Sequence, residues 1–199
     1  TALAAAAGLL ALLAAASLPA ALEDRFRDPR RLRLWQGWVE ETIEESGRTG
    51  GAAVIVDKLG RRCLLVSAGR TVERYTVELG RNGLSDKLYE GDRATPEGRY
   101  RVTSKRGRGQ TRFHLALMLD YPTSEDRREH ADGLRRGIVP RGRGPGGLIE
   151  IHGDGGLGID WTDGCVALRN QDMDRLFAAV EVGTPVTIAG TARFPGDLP

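Results

Sequence analysis

The chain has 199 residues, enough for one domain with appendages and a sizeable core. Its 29 basic and 27 acidic residues leave a formal charge of +2, and the two signs are interleaved along most of the chain, so nucleic acid is not an expected partner. Two cysteines allow one disulfide at most; without a Cys-x-x-Cys or a second histidine at ligand spacing, no metal site is expected.

Residues 1–22, TALAAAAGLLALLAAASLPAAL, carry no charge and are almost entirely Ala and Leu. Such a run reads as an export segment. It is either a signal peptide removed after Leu18-Pro19-Ala20 or an anchor just long enough to span a bilayer. On both readings the folded part is exported to the periplasm or cell envelope and meets membrane only through this segment. Residues 23–50 are expected to be a helical lead-in and linker. Leu32, Leu34, Trp35, Trp38, Val39 and Ile43 recur near helical spacing, which predicts a helix over Pro29–Ser46 with packed tryptophans. The glycine-rich 47–51 ends it.

A β-rich domain is predicted over 51–190, followed by a loose tail over 191–199. Ala52–Asp57, Arg61–Ser67 and Thr71–Leu79 are short runs rich in Val, Ile, Leu, Thr and Tyr with tight spacers, the pattern of a three-stranded meander. Cys63, inside the second, reads as a buried thiol. Gly80–Gly98 is a loop with a turn at Thr95-Pro96-Glu97-Gly98. Arg99–Ser104 and Phe113–Asp120 return to strand, the latter covered on both sides, which makes His114 a hydrogen-bonded interior histidine. His130, on the charged helix Ser124–Arg136, is expected in solvent. After the Gly- and Pro-rich loop 138–147, Leu148–His152 is a strand with Ile149 and Ile151 on one face and Glu150 and His152 on the other. An extended Cys165–Leu168 turns Val166 and Leu168 to the core and Cys165 away from it. Asn170 is expected to cap a helix over Gln171–Val180, and Thr184–Ala189 is a last strand. The fold class is therefore mainly β with a few helices (α+β).

The chemistry concentrates in LIEIHGDGGLGIDWTDGCVALRN, residues 148–170, which holds one of three histidines and one of two cysteines. A thiol becomes a strong nucleophile when an imidazole takes its proton. The four glycines between His152 and Asp160 make the return of the chain from His152 towards Cys165 sterically easy. Main-chain N–H groups near Gly164 and Cys165 suit an oxyanion. A glycine-rich turn with an incidental cysteine remains the alternative on spacing alone.

Three blocks resemble the L,D-transpeptidases of the YkuD type, which act on bacterial peptidoglycan: Gly91-Asp92-Arg93-Ala94-Thr95-Pro96-Glu97-Gly98-Arg99-Tyr100, Ile151-His152-Gly153, and Thr162-Asp163-Gly164-Cys165-Val166-Ala167-Leu168. The resemblance implies a β-sandwich or meander with the nucleophile in a cleft. It makes Cys165 the nucleophile, His152 its base, Gly153 the residue whose carbonyl orients that base, and Gly164 the glycine preceding the nucleophile. Thr162, Asp163, Arg169 and Tyr121 become substrate-binding expectations. Asp163 and Ala167 depart from the family, where many members carry His and Arg or Asn; the Asp163 side chain is therefore expected to point away from the thiol, and Arg169 is the candidate replacement cation. The implied partners are peptidoglycan stem peptides and, as an alternative acceptor, a lysine of a wall-attached protein, with no cofactor. Three activities stay open: transpeptidation through a thioester, hydrolysis through the same acyl-enzyme as an L,D-amidase, and non-catalytic wall binding.

Overall fold

The structure, a computed structural model, describes residues 20–192. The expected export segment and tail thus fall largely outside the described residues. Among those described, no helix is long and apolar enough to cross a membrane.

The meander forms as β1 (Ala52–Asp57), β2 (Arg62–Ser67) and β3 (Arg70–Glu78). Then follow β4 (Gly98–Arg106), β5 (Ala116–Leu119), β6 (Glu150–His152), β7 (Val166–Leu168) and β8 (Pro185–Ala189). These strands close into a barrel in the order β1-β2-β3-β7-β6-β5-β4-β8. Closure leaves no free sheet edge. The β6–β7 and β8–β1 pairs are parallel and the others antiparallel. The interior is filled by alternate residues such as Val54, Val56, Leu65, Val102, Leu117, Ile151, Val166 and Ile188, joined by Met173 and Leu176 of α4 (Asn170–Ala179).

Ahead of the barrel lie α1 (Ala20–Arg27) and α2 (Pro29–Thr49). Asp28 starts α2 by accepting a hydrogen bond from Arg30 N at 2.9 Å, Pro29 occupies its first turn, and Gly50 stops it in the left-handed conformation. Its apolar stripe is no free linker face. Trp35, Trp38 and Val39 pack with Ala53, Ile55, Leu64, Val66 and Ala189 on the outside of the barrel. The approach is so close that a methyl group on Gly190 would meet the Trp35 ring at 2.3 Å. Burying a side chain of this size contributes roughly 3 kcal/mol. With the barrel core on one side and α2 on the other, β1 and β2 are covered on both faces, which explains their unbroken apolar runs.

Lys58, in the turn after β1, points inward and is fully buried. Its ammonium donates to Ser85 O (2.6 Å), Thr95 O (2.7 Å) and Glu97 Oε1 (3.0 Å). Burial pulls its pKa below the usual lysine range, against the opposing pull of Glu97. Glu97 also accepts from Trp35 Nε1 at 2.9 Å and pairs with Arg25. The lead-in helices and the long loop 79–97 therefore share one buried polar cluster.

Three local expectations are corrected. His130 of α3 (Ser124–Arg135) is only 9% exposed, and its Nδ1 hydrogen-bonds to Leu88 O of the long loop at 2.7 Å. Asn170 does not cap α4: its Oδ1 accepts from Asp154 N at 2.6 Å, and Arg169 occupies the cap position without a side-chain bond. Phe113–Leu115 leave the ladder before β5. There His114 N donates to Asp154 Oδ2 (3.1 Å), its Nε2 meets Asp174 Oδ1 (2.7 Å), and Phe113 turns onto His152.

Candidate active site

In the β6–β7 pair Ile151 lies opposite Val166, and both enter the core. The residue after Ile151 and the residue before Val166 must then lie on the outer face, and these are His152 and Cys165. That face is covered. His152 is fully buried, because Phe113 stacks on the imidazole (centroids 3.5 Å, planes 7° apart) and Trp161 meets it edge-on at 5.7 Å.

The Gly153 carbonyl can only accept, so His152 Nδ1 carries a proton and donates to it at 2.6 Å. Nε2 is then the lone-pair nitrogen, buried and without a protein partner among the described residues. Burial pushes the imidazole pKa down to about 4, with the Gly153 bond opposing. At neutral pH His152 is thus an uncharged base with its acceptor nitrogen free.

The nucleophile turn is fixed from both sides. Thr162 Oγ1 donates to Cys165 O (2.7 Å) and accepts from Gly164 N (3.2 Å). Gly164 takes φ 136°, and a methyl group there would meet Ala94 O at 2.8 Å and Ile149 Cδ1 at 3.1 Å. Only glycine fits that conformation and that gap. Cys165 is partly buried, and its Sγ donates to Leu148 O at 3.6 Å. Leu148 is itself in the left-handed region at φ 56°, although it is not glycine. Loss of hydration pushes the thiol up to about 11. Cys63, fully buried, is pushed up to about 12, and both cysteines are free thiols.

Cys165 and His152 line one cleft of about 260 Å³ with Phe113, Leu148, Trp161 and Thr162. Two cations, Arg81 and Arg112, frame it. Arg112 lies over the Phe113 ring at 4.8 Å. Arg81 pairs at 2.9 Å with Asp163, whose carboxylate is 78% exposed and so is drawn out to the surface. Arg169 and Tyr121 are elsewhere. Arg169 lines a separate groove with Arg61, Glu78 and Asp160, and Tyr121 is buried, donating to Pro145 O at 2.8 Å. Ala167 is buried opposite His152, a site with no room for a long cation.

The resemblance gives the Gly91–Tyr100 block no role, and the structure supplies one. The Gly91–Tyr100 block is a bed under the nucleophile turn: Thr95 Oγ1 accepts from Gly80 N at 2.9 Å, Gly80 bridges to Thr162, and Ala94 O abuts Gly164. Asp92 shapes this bed by accepting from Leu88 N, Tyr89 N and Ala94 N. Phe113, expected at the start of a strand, and Trp161 carry no sequence signal for their place around His152.

Fold and site together define a closed β-barrel domain with a cysteine and a neutral histidine in one cleft beside a glycine-held turn. The family model of the YkuD L,D-transpeptidase catalytic domain matches residues 51–188, and the chain belongs to that family. It is 27% identical over 109 residues to YafK of Escherichia coli K12, named as a candidate L,D-transpeptidase, covering 55% of this chain and 37% of that protein. Among solved structures it is similar to Pgp2 of Campylobacter jejuni, titled a helical cell shape determining protein (24% identity, TM-score 0.55, 72% of this chain and 49% of Pgp2). It is also similar to Bd1075 of Bdellovibrio bacteriovorus (22% identity, TM-score 0.53, 73% and 50%). The chain spans half or less of each of these relatives, and the two structures establish the fold alone.

Proposed function

We propose that the chain is the catalytic part of an exported cysteine L,D-transpeptidase that acts on peptidoglycan tetrapeptide stems, with residues 51–190 as its catalytic domain. The observation that carries this reading is the buried His152, its Nδ1 locked on Gly153 O and its Nε2 free, in the cleft that Cys165 lines.

With the thiol near 11, only about one Cys165 in 10⁴ is thiolate at pH 7. The proton therefore moves as the carbon–sulfur bond forms, not before. Cys165 Sγ attacks the carbonyl carbon of the third stem residue while His152 Nε2 takes the thiol proton. Gly164 N–H is held by Thr162 Oγ1, which leaves the Cys165 N–H to meet the oxyanion. The intermediate collapses as His152 gives its proton to the nitrogen of D-alanine, which leaves, and a thioester remains. An amine from a second stem or from a wall-attached protein's lysine then attacks the thioester and passes a proton to His152, which returns it to Sγ as the carbon–sulfur bond breaks and the thiol is regenerated. Arg81 and Arg112 suit the carboxylates of the stem.

Incubating the protein with purified muropeptides and following product masses tests the proposal. Wild type is expected to release D-alanine and form a cross-linked or lysine-linked product, and Cys165→Ala to lower that rate by at least about 10⁴-fold. Full product formation by Cys165→Ala would sink it. Release of D-alanine, or cleavage of existing links, with water as the only acceptor would assign the hydrolytic outcome of the same acyl-enzyme.

A further inference from the structure

Glu78, the last residue of β3, is 94% buried by its 6% exposure and has no place in the reaction as described. Its carboxylate accepts three hydrogen bonds from one loop. Oε1 accepts from Gly156 N (3.1 Å) and Gly158 N (2.5 Å), and Oε2 accepts from Trp161 Nε1 (2.8 Å). This single side chain gathers the middle and the far end of the loop that runs from His152 towards the nucleophile turn. The neighbouring residues tighten the same attachment: Asp160 Oδ1 accepts from Leu79 N (2.9 Å), and Leu79 O accepts from Trp161 N and Thr162 N (3.1 Å each).

The held indole is one wall of the histidine's box. Trp161 presents its edge to His152 and Phe113 stacks on the imidazole face, so the imidazole's tilt depends on where Trp161 stands. A ring boxed this way is held in orientation by packing, with no hydrogen bond spent on Nε2. A shift of about 1 Å in a reacting group is enough to cost a large factor in rate.

We infer that Glu78 is a positioning residue for His152, acting through Trp161. The inference rests on the Cys165–His152 reading above. It differs from a purely structural role in one respect: Glu78 and Trp161 must act on the rate as one unit.

The test is a double-mutant cycle on the full chain, with acylation of Cys165 by a carbapenem followed by intact mass. Glu78→Gln keeps the shape but turns an amide nitrogen towards donors. Trp161→Phe keeps a ring against His152 but cuts the link to Glu78. Each is expected to lower the saturating acylation rate about tenfold, with the half-saturating carbapenem concentration within about twofold of wild type, and the double variant is expected to be no slower than the slower single. Single variants within about twofold of wild type, or a double variant slowed about a hundredfold, would overturn the inference. If Glu78→Gln does not fold, Glu78→Asp, whose shortened carboxylate no longer reaches the indole, takes its place in the cycle, by the same rate criterion. His152→Ala is measured in parallel. If it acylates as fast as wild type, the Cys–His reading itself fails; if it is slow while the other variants are fast, only the role of Glu78 is lost.

Discussion

His152→Ala is expected to lower acylation of Cys165 by a tetrapeptide stem about 10³-fold at pH 7, with little change in the concentration of stem needed for half-saturation. The reason is the neutral resting pair. A thiol pushed up to about 11 and an imidazole pushed down to about 4 are both uncharged over the whole physiological range. Without the base the reaction falls back on the small thiolate fraction, so the variant's rate should climb about tenfold per pH unit up to about pH 11. The wild type should instead be flat, falling only as His152 protonates near pH 4.

The same burial has a signature in stability. His152 titrates near 6.5 when unfolded and about 4 when folded, so below pH 6.5 the unfolded chain binds more protons. Stability contributed by the neutral folded imidazole is complete above pH 6.5 and is lost progressively as pH falls to about 4, by on the order of 3 kcal/mol. The difference between wild type and His152→Ala in denaturant midpoint across this window isolates that loss from the titrating carboxylates. An equal acid slope in both proteins would contradict the burial argument.

Gly164→Ala is the second large effect. The added methyl group would have to enter the 2.8 Å gap to Ala94 O while the backbone keeps φ 136°. The nearer neighbour, Ala94 O, is main chain and cannot swing aside; the other, the Ile149 Cδ1 methyl at 3.1 Å, can yield only by repacking the core in which it is buried. The expected cost is about 3 kcal/mol or more in stability, and a displacement of the turn by about 1 Å would cost a further 10² in acylation rate. Gly183→Ala is the control. Its φ is also positive, at 91°, but its methyl group would meet nothing within 4 Å and it lies away from the cleft, so only the backbone term of about 1 kcal/mol applies. Thermal melts and carbapenem acylation of both variants check the contrast. Similar losses in the two would show that the close approach to Ala94 does not matter.

These predictions also mark how much of the molecule could be read before it was folded. Strand periodicity turned Ile149 and Ile151 one way and His152 the other, and the in-register pairing of Ile151 with Val166 bears out that geometry. Periodicity says which face a residue takes, not what covers the face. Here the covering groups are Phe113, which comes from some forty residues earlier in the chain, and Trp161, so His152 is buried rather than open to water. The same limit applies to Lys58. Its turn was legible, but its partners at Ser85, Thr95 and Glu97 are supplied by a long loop folded back over the strand end. The amphipathic stripe of α2 was visible as a stripe, and only the barrel's outer face identifies its partner. Arg169 shows the reverse case. Near Cys165 in sequence, it lies across the 156–161 loop in another groove, while the cleft takes its cations from Arg81 and Arg112.

The central claim is a thioester on Cys165, and intact-mass measurement of the protein mixed with a tetrapeptide stem tests it most directly. Quenched at low pH within the first turnovers, the wild type should gain the mass of the stem less D-alanine, the adduct should map to Cys165, and hydroxylamine should remove it. His152→Ala should accumulate the same adduct far more slowly. A chain that releases D-alanine without any adduct at Cys165, or that carries the adduct on another residue, would contradict the account.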